Sequence, residues 1–189
     1  MTRIVPDRPT HRLQSVTLER FKAAFKPQPV ILGSFNVLIG RNGSGKSTLL
    51  EALQWIDTTL RQDARIASDR YYGISDLINL RGNADSFRIR LGFIPDDAHA
   101  DESQHVHYEV VAKEDPKQKG EATITQERLW VGPHASKNFY IKYSKGKRLL
   151  CKRGLPEIVF DQPERLALAQ GGLPIEIRLR TFFRDAVFL

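Results

Sequence analysis

Eight consecutive residues, GRNGSGKS from Gly40 to Ser47, constrain this chain more than any other stretch. They satisfy G-x-x-x-x-G-K-[ST] at every fixed position. Such a loop works through its backbone. Gly43 and Gly45 can take conformations that a side chain would oppose, and successive N–H groups of Gly40, Arg41, Asn42, Gly43, Ser44 and Gly45 then turn inward as an anion nest. Lys46 adds a point charge suited to the β- and γ-phosphates of a nucleotide. Ser47 offers a hydroxyl to Mg²⁺, and Thr48 stands where a hydroxyl meets the α-phosphate. A chance glycine-rich turn is the plain alternative, and context argues against it. The apolar run Phe35–Ile39 precedes the loop and predicts a buried central strand. Beyond it, Leu49, Leu53, Ile56 and Leu60, joined by Leu50 and Trp55, fall at helical spacing and predict a helix from Lys46 to about Gln62. A helix opening on the last glycine directs its dipole at bound phosphate.

The remainder has a different texture. Val16 and Leu18 alternate with polar residues and predict a half-buried strand, while FKAAFKPQPVILGSF, with two prolines, reads as a turn-containing connection. Phe87, Ile89, Leu91 and Phe93 alternate with Arg88, Arg90 and Gly92, and Val106, Tyr108 and Val110 repeat the pattern. Ala122–Val131 and Phe139–Tyr143 complete an antiparallel β meander over residues 86–153. After Pro174, Ile175, Leu179, Phe182, Phe183 and Ala186 sit at helical spacing, so residues 164–189 read as a helical segment. The chain closes on Val-Phe-Leu with neither polar cap nor glycine stop, and is expected to be a lobe incomplete at the C-terminus. The fold class is therefore α/β: one P-loop NTPase lobe over 1–189, with a strand, loop and helix unit at 13–62 and an antiparallel β subdomain.

Composition narrows the setting. With 41% hydrophobic and 27% charged residues the 189-residue chain can bury a core. A single cysteine, Cys151, allows no internal disulfide, and the cations beside it, Lys147, Arg148, Lys152 and Arg153, would favour its thiolate. With no His or Asn partner in view it reads as structural. The opening MTRIVPDRPTHRLQ lacks an apolar signal core, and no apolar run reaches the roughly 18 residues of a bilayer span. The expectation is a cytoplasmic protein with no membrane partner. The net charge is +7, and Lys137, Lys142, Lys145, Lys147, Arg148, Lys152 and Arg153 lie together without an acidic residue. Interleaved Phe139, Tyr140 and Tyr143 suit a nucleic-acid surface, but alternation assigns Phe139, Ile141 and Tyr143 to one buried face, which favours a solvated hairpin.

NVLIGRNGSGKSTLLEAL resembles the N-terminal lobe of SMC/RecF-like ATPases of the ABC class, of the kind found in OLD-type nucleases and anti-phage AAA-domain ATPases. The resemblance rests on Asn42–Gly45, on Leu50–Leu53, and on Glu19–Lys22, which is similar to an Asn-Phe-Lys/Arg element but has Arg20 in place of Asn. It is specific over residues 13–62 and extends loosely through Ile74–Asn83. It implies ATP and Mg²⁺ as cofactors, ATP hydrolysis with Lys46 as the catalytic cation, and a homodimer or a second ATPase half that supplies a signature serine. It also implies a role in DNA metabolism or phage defence, with DNA or a nuclease as partner. Arg20–Lys22 would lie on the nucleoside side.

The family's later motifs are not found. Gln170-Gly171-Gly172 lacks the signature serine, and Ile158–Glu164 echoes a Walker B segment but places Gln162 after Asp161, where the catalytic Glu belongs. It reads instead as a loop entering a Leu166–Gln170 helix, and turnover by this chain alone is expected to be negligible. Three rivals stand beside the ATPase reading: a non-catalytic nucleotide-binding module, the nucleotide-binding subunit of an ABC transporter, and a small-molecule kinase with Arg61 and Arg65 as lid arginines. His99, His105 and His107 among Asp96, Asp97, Asp101 and Glu102 allow a metal site, although a solvated hairpin loop is the simpler reading.

Overall fold

A computed structural model describes residues 11–81, 83–95, 101–134, 139–144, 147–152, 155–158, 162–170, 179 and 182–183. Its strands are β1 (His11–Glu19), β2 (Gln28–Ile31), β3 (Ser86–Pro95), β4 (Val106–Asp115), β5 (Gln118–Val131), β6 (Phe139–Ser144), β7 (Lys147–Lys152) and β8 (Leu155–Ile158). They form one antiparallel sheet in the order β2-β1-β3-β4-β5-β6-β7-β8. Strand β1, from the loop-and-helix unit, pairs with β3 and so joins that unit to the meander. The meander runs beyond the expected 153 through β8, and the proline-bearing connection after β1 contains β2 as an edge strand.

Alternation produces this sheet. Val16, Ile89 and Leu91 share a face with Tyr108, Val110, Leu129 and Ile141, all buried. Helix α1 (Lys46–Arg61) packs Leu49, Ala52, Leu53, Trp55 and Ile56 into the same core. Leu50 turns outward, 52% exposed, which corrects its placement on the buried stripe. Phe21 and Trp55 each meet Phe87 edge to face at 5.0 Å, locking β1, α1 and β3 together. Helix α2 (Ala64–Asp69) begins at Asp63, whose carboxylate accepts from Ile66 N, and Trp55 Nε1 donates to Ser68 Oγ at 3.0 Å.

Helix α3 (Ala167–Gln170) is short, as its residues suggested, and rests on a buried acid. Glu127 faces the core from β5 and accepts from Ala167 N at 2.6 Å, Leu168 N at 3.0 Å and the Tyr108 hydroxyl at 2.9 Å. Of the expected C-terminal helix, Leu179 and Phe183 are buried, Phe93 meets Phe182 edge to face, and the Phe183 carbonyl accepts from Arg61 Nη2. Its other positions, Ile175 and Ala186 included, lie outside the described residues.

The strand expected at Phe35–Ile39 is not formed. The segment has no strand pairing, and Phe35 and Ile39 are 86% and 89% exposed. After β2 the chain reverses at Gly33, whose N–H donates to Asn36 Oδ1 while Asn36 Nδ2 donates to Gly33 O. A doubly covered strand needs a neighbour on each edge. Here the sheet ends at β2 among the described residues, so the apolar run has none.

Candidate functional site

The loop Gly40–Ser47 leaves this exposed segment and enters α1. Gly43 and Gly45 have φ of 81° and 90°, and a Cβ at either would meet nothing within 4 Å. Backbone conformation, rather than crowding, therefore demands glycine at both positions. Gly45 caps α1 with no side-chain hydrogen bond, so the first-turn amides are not consumed by a cap. Lys46 folds back over the loop: Nζ donates to Gly40 O at 2.6 Å and Arg41 O at 2.8 Å, with Ser44 Oγ at 3.4 Å. Two carbonyls and a hydroxyl thus hold the ammonium against the loop. Ser47 is exposed, whereas Thr48 is buried at the start of the helix.

Beside the loop lies a cleft of about 460 Å³. Gly43, Ser44, Gly45, Thr48 and Leu49 form one wall, and Ala23, Ala24, Phe25 and Lys26 from the β1–β2 connection, with Gln28 at the start of β2, form the other. Leu18 and Val30 make its floor apolar. The cleft thus joins a glycine-rich loop and a helix N-terminus to apolar side chains, with a lysine and an amide also in its lining. That is the division of chemistry a nucleoside polyphosphate presents.

The Arg20–Lys22 element only borders this slot. Phe21 is fully buried, and Lys22 Nζ lies 2.7 Å from Glu51 Oε2 on α1. The wall is made by the next residues, which sequence reading missed because Ala23, Ala24 and Gln28 carry no distinctive chemistry. The lysine after Phe25 was the available signal. Arg61 pairs with Asp57 at 2.8 Å and Arg65 with Glu121 at 2.9 Å, so both guanidiniums considered for a lid are already engaged.

Of the Walker B lookalike, Asp161 lies outside the described residues. Its neighbours serve packing: Pro163 O accepts from Ile124 N at 2.7 Å, and Glu164 O from Ala64 N at 2.8 Å. Of the histidines, His99 lies outside the described residues and His105 precedes β4. His107 stacks on Trp130 with centroids 5.0 Å apart, and its proton affinity is lowered by burial first, then by His105 and Arg90. No group of three potential metal ligands occurs among the described residues. Cys151 lies in β7 opposite Pro156.

The outer face of the sheet, opposite the helices, carries its own order. Arg90, Glu109, Arg128 and Lys142 stand opposite one another across β3, β4, β5 and β6. Glu109 is buried beneath Arg88, Arg90 and Arg128, and Arg90 bonds it through Nη2 at 2.5 Å. The adjacent row is aromatic. Arg90 lies over Trp130 at 5.9 Å, and Lys142 over Phe139 at 5.4 Å. A bulge places Phe139 opposite Trp130, so it sits under Lys142, while Tyr140 packs against the core. This corrects the expectation that Phe139 shares the buried face of Ile141.

Comparison with known families bears on the class of domain. The model of the family described as "AAA domain, putative AbiEii toxin, Type IV TA system" matches residues 35–186. This chain belongs to that AAA-domain family, whose P-loop NTPase-type domain implies nucleotide binding. A search of curated proteins found no match. No helix among the described residues is long and apolar enough to cross a membrane.

Proposed function

We propose that the chain binds Mg-ATP at Gly40–Thr48 and serves an SMC/RecF-like ATPase. The observation that carries this reading is the open, uncapped N-terminus of α1, with Lys46 held across the loop by Gly40 O and Arg41 O. Binding would exchange those carbonyls for β- and γ-phosphate oxygens, converting an ion–dipole contact into an ion pair. The exposed Ser47 hydroxyl would hold Mg²⁺, which supplies charge neutralisation between the phosphates. The donor set fits: a hydroxyl beside an anion nest is what a nucleotide-bound magnesium takes from a protein. Thr48 would meet the α-phosphate. The apolar slot between Ala23–Gln28 and Thr48–Leu49 would take the nucleoside.

Hydrolysis also needs an acid to orient water and charge delivered against the γ-phosphate. A homodimeric partner or a second ATPase half would supply these groups, and the exposed apolar run Phe35–Ile39 suits a protein contact of that kind. Service in DNA metabolism or phage defence, with DNA or a nuclease as partner, follows from the family resemblance. The row Arg90, Arg128 and Lys142 on the outer sheet face adds a physical reason for a nucleic-acid partner. The first rival is a module in which nucleotide only holds an assembly together, and phosphate release separates the two readings.

Calorimetric titration with Mg-ATPγS, paired with a phosphate-release assay, tests the proposal. Wild type binds, and Lys46→Ala weakens binding by at least about tenfold, the loss expected when one charge-assisted contact is removed. A folded wild-type chain that takes up no nucleotide would falsify the reading.

A further inference from the structure

The turn that leaves β1 carries conformational strain and a precise ion pair, and neither is used by the phosphate loop. Arg20 and Lys22 both have left-handed backbones, with φ of 56° and 48°. For residues with side chains this costs about 1 kcal/mol or more each, so the surroundings must enforce it. They do. Lys22 N donates to Leu77 O at 2.8 Å, Asn79 N donates to Arg20 O at 2.8 Å, and Asn79 Nδ2 donates to Lys22 O at 2.6 Å. Phe21 between them is driven into the core against Phe87. The result is a tight corkscrew that throws Lys22 across to the helix behind the phosphate loop.

There its ammonium lies 2.7 Å from Glu51 Oε2 and 4.9 Å from the centre of the Tyr71 ring. Glu51 is one helical turn beyond Ser47, and Ala23, the residue after Lys22, begins the opposite wall of the cleft. The ion pair therefore ties one wall to the other. Its side chains are 28% and 26% exposed, and pairs this accessible contribute little to global stability. The strained turn already serves the core by seating Phe21, but the ion pair it sets up has small energetic worth, and setting the separation of the two walls is the use the geometry offers.

We infer that Lys22 and Glu51 are positioning residues that hold the Ala23–Gln28 wall at the spacing of a nucleobase. Recognition of the nucleoside then depends on the pair, and recognition of the triphosphate does not. The inference rests on the nucleotide reading of the loop and adds which residues set the place of the nucleoside wall. Neither residue touches phosphate; each acts through the wall that Lys22 begins.

The test uses the full chain and two ligands, Mg-ATPγS and magnesium tripolyphosphate, titrated against wild type, Lys22→Met, Glu51→Gln, Lys22→Arg and the exchange Lys22→Glu with Glu51→Lys. The single neutral variants should lose about tenfold in affinity for ATPγS and less than about twofold for tripolyphosphate, a difference near 1.4 kcal/mol. Lys22→Arg and the charge exchange should recover nucleotide affinity. Retained tripolyphosphate binding certifies each variant as folded at the loop. Equal losses for both ligands, or no loss in any folded variant, overturns the inference. Wild type binding the two ligands with the same affinity overturns it too, while sparing the phosphate loop. Wild type binding neither overturns the loop's function and this inference with it.

Discussion

At the scale of single residues, the chain places charge where burial and partners determine what it does. Lys46 needs only the loop's own carbonyls to stay poised, and that contact is local and exposed. His107 is the contrasting case. It is stacked on Trp130, with Arg90 over the same indole and His105 close by. Burial first, and then His105 and Arg90, oppose a positive charge on His107, so the folded-state proton affinity lies below the ordinary value of 6.5. An unfolded chain therefore takes up this proton at higher pH than the native one does. The sign follows: the stability attached to neutral His107 is fully present above about pH 6.5 and is lost as pH falls below it toward the lowered folded value. Thermal midpoints measured from pH 8 to pH 5 should decline more steeply for wild type than for His107→Gln. Parallel curves would remove His107 from this role.

At the scale of elements, the strand-to-helix joints are made by side chains whose job the alternation alone does not announce. Glu127 occupies an inward register position of β5, between inward Ile124 and Leu129, and an acid there contradicts the apolar face. The contradiction is resolved by α3, whose Ala167 and Leu168 amides both point at the carboxylate. Glu127→Gln leaves one carboxamide nitrogen facing an N–H donor. It should cost about 2–3 kcal/mol, the size of a lost charged hydrogen bond plus a buried donor left unpaired. Urea unfolding would show this as a lower midpoint at constant slope, whereas a neutral result would mean water or a backbone shift replaces the carboxylate. Helix α1 illustrates the opposite economy. Its first turn is left uncapped, a stability cost placed at the end where a bound anion would offset it.

At the scale of the whole molecule, the two faces of the sheet divide the work. One face buries the aromatic cluster of Phe21, Trp55 and Phe87 under α1, and thereby fixes the helix that follows the glycine-rich loop. The other presents a row of cations propped by aromatics, with Glu109 absorbing part of their charge. If this face meets nucleic acid, binding to a short DNA duplex should weaken with salt. Arg128→Glu together with Lys142→Glu should then lower the log–log salt slope by about 2, roughly one per cation removed. Fluorescence anisotropy across a salt series measures this, and an unchanged slope would remove the face from consideration.

Some of this was legible in the sequence because the information is local. GRNGSGKS specifies its own backbone, the residues from Leu49 onward specify a helix, and the alternation in Phe87–Phe93 and Val106–Val110 specifies strands and their inward side. Those readings depend on neighbours within a turn or two of chain, and the matching elements formed at nearly the expected limits. What the sequence left open is decided by residues far apart along it. Glu51 meeting Lys22, Glu127 meeting Ala167, and the row from Arg90 to Lys142 all require a particular strand order and register. The same reason explains the error at Phe35–Ile39: an apolar run states a need for partners, and only the tertiary arrangement decides whether a strand lies beside it to meet that need.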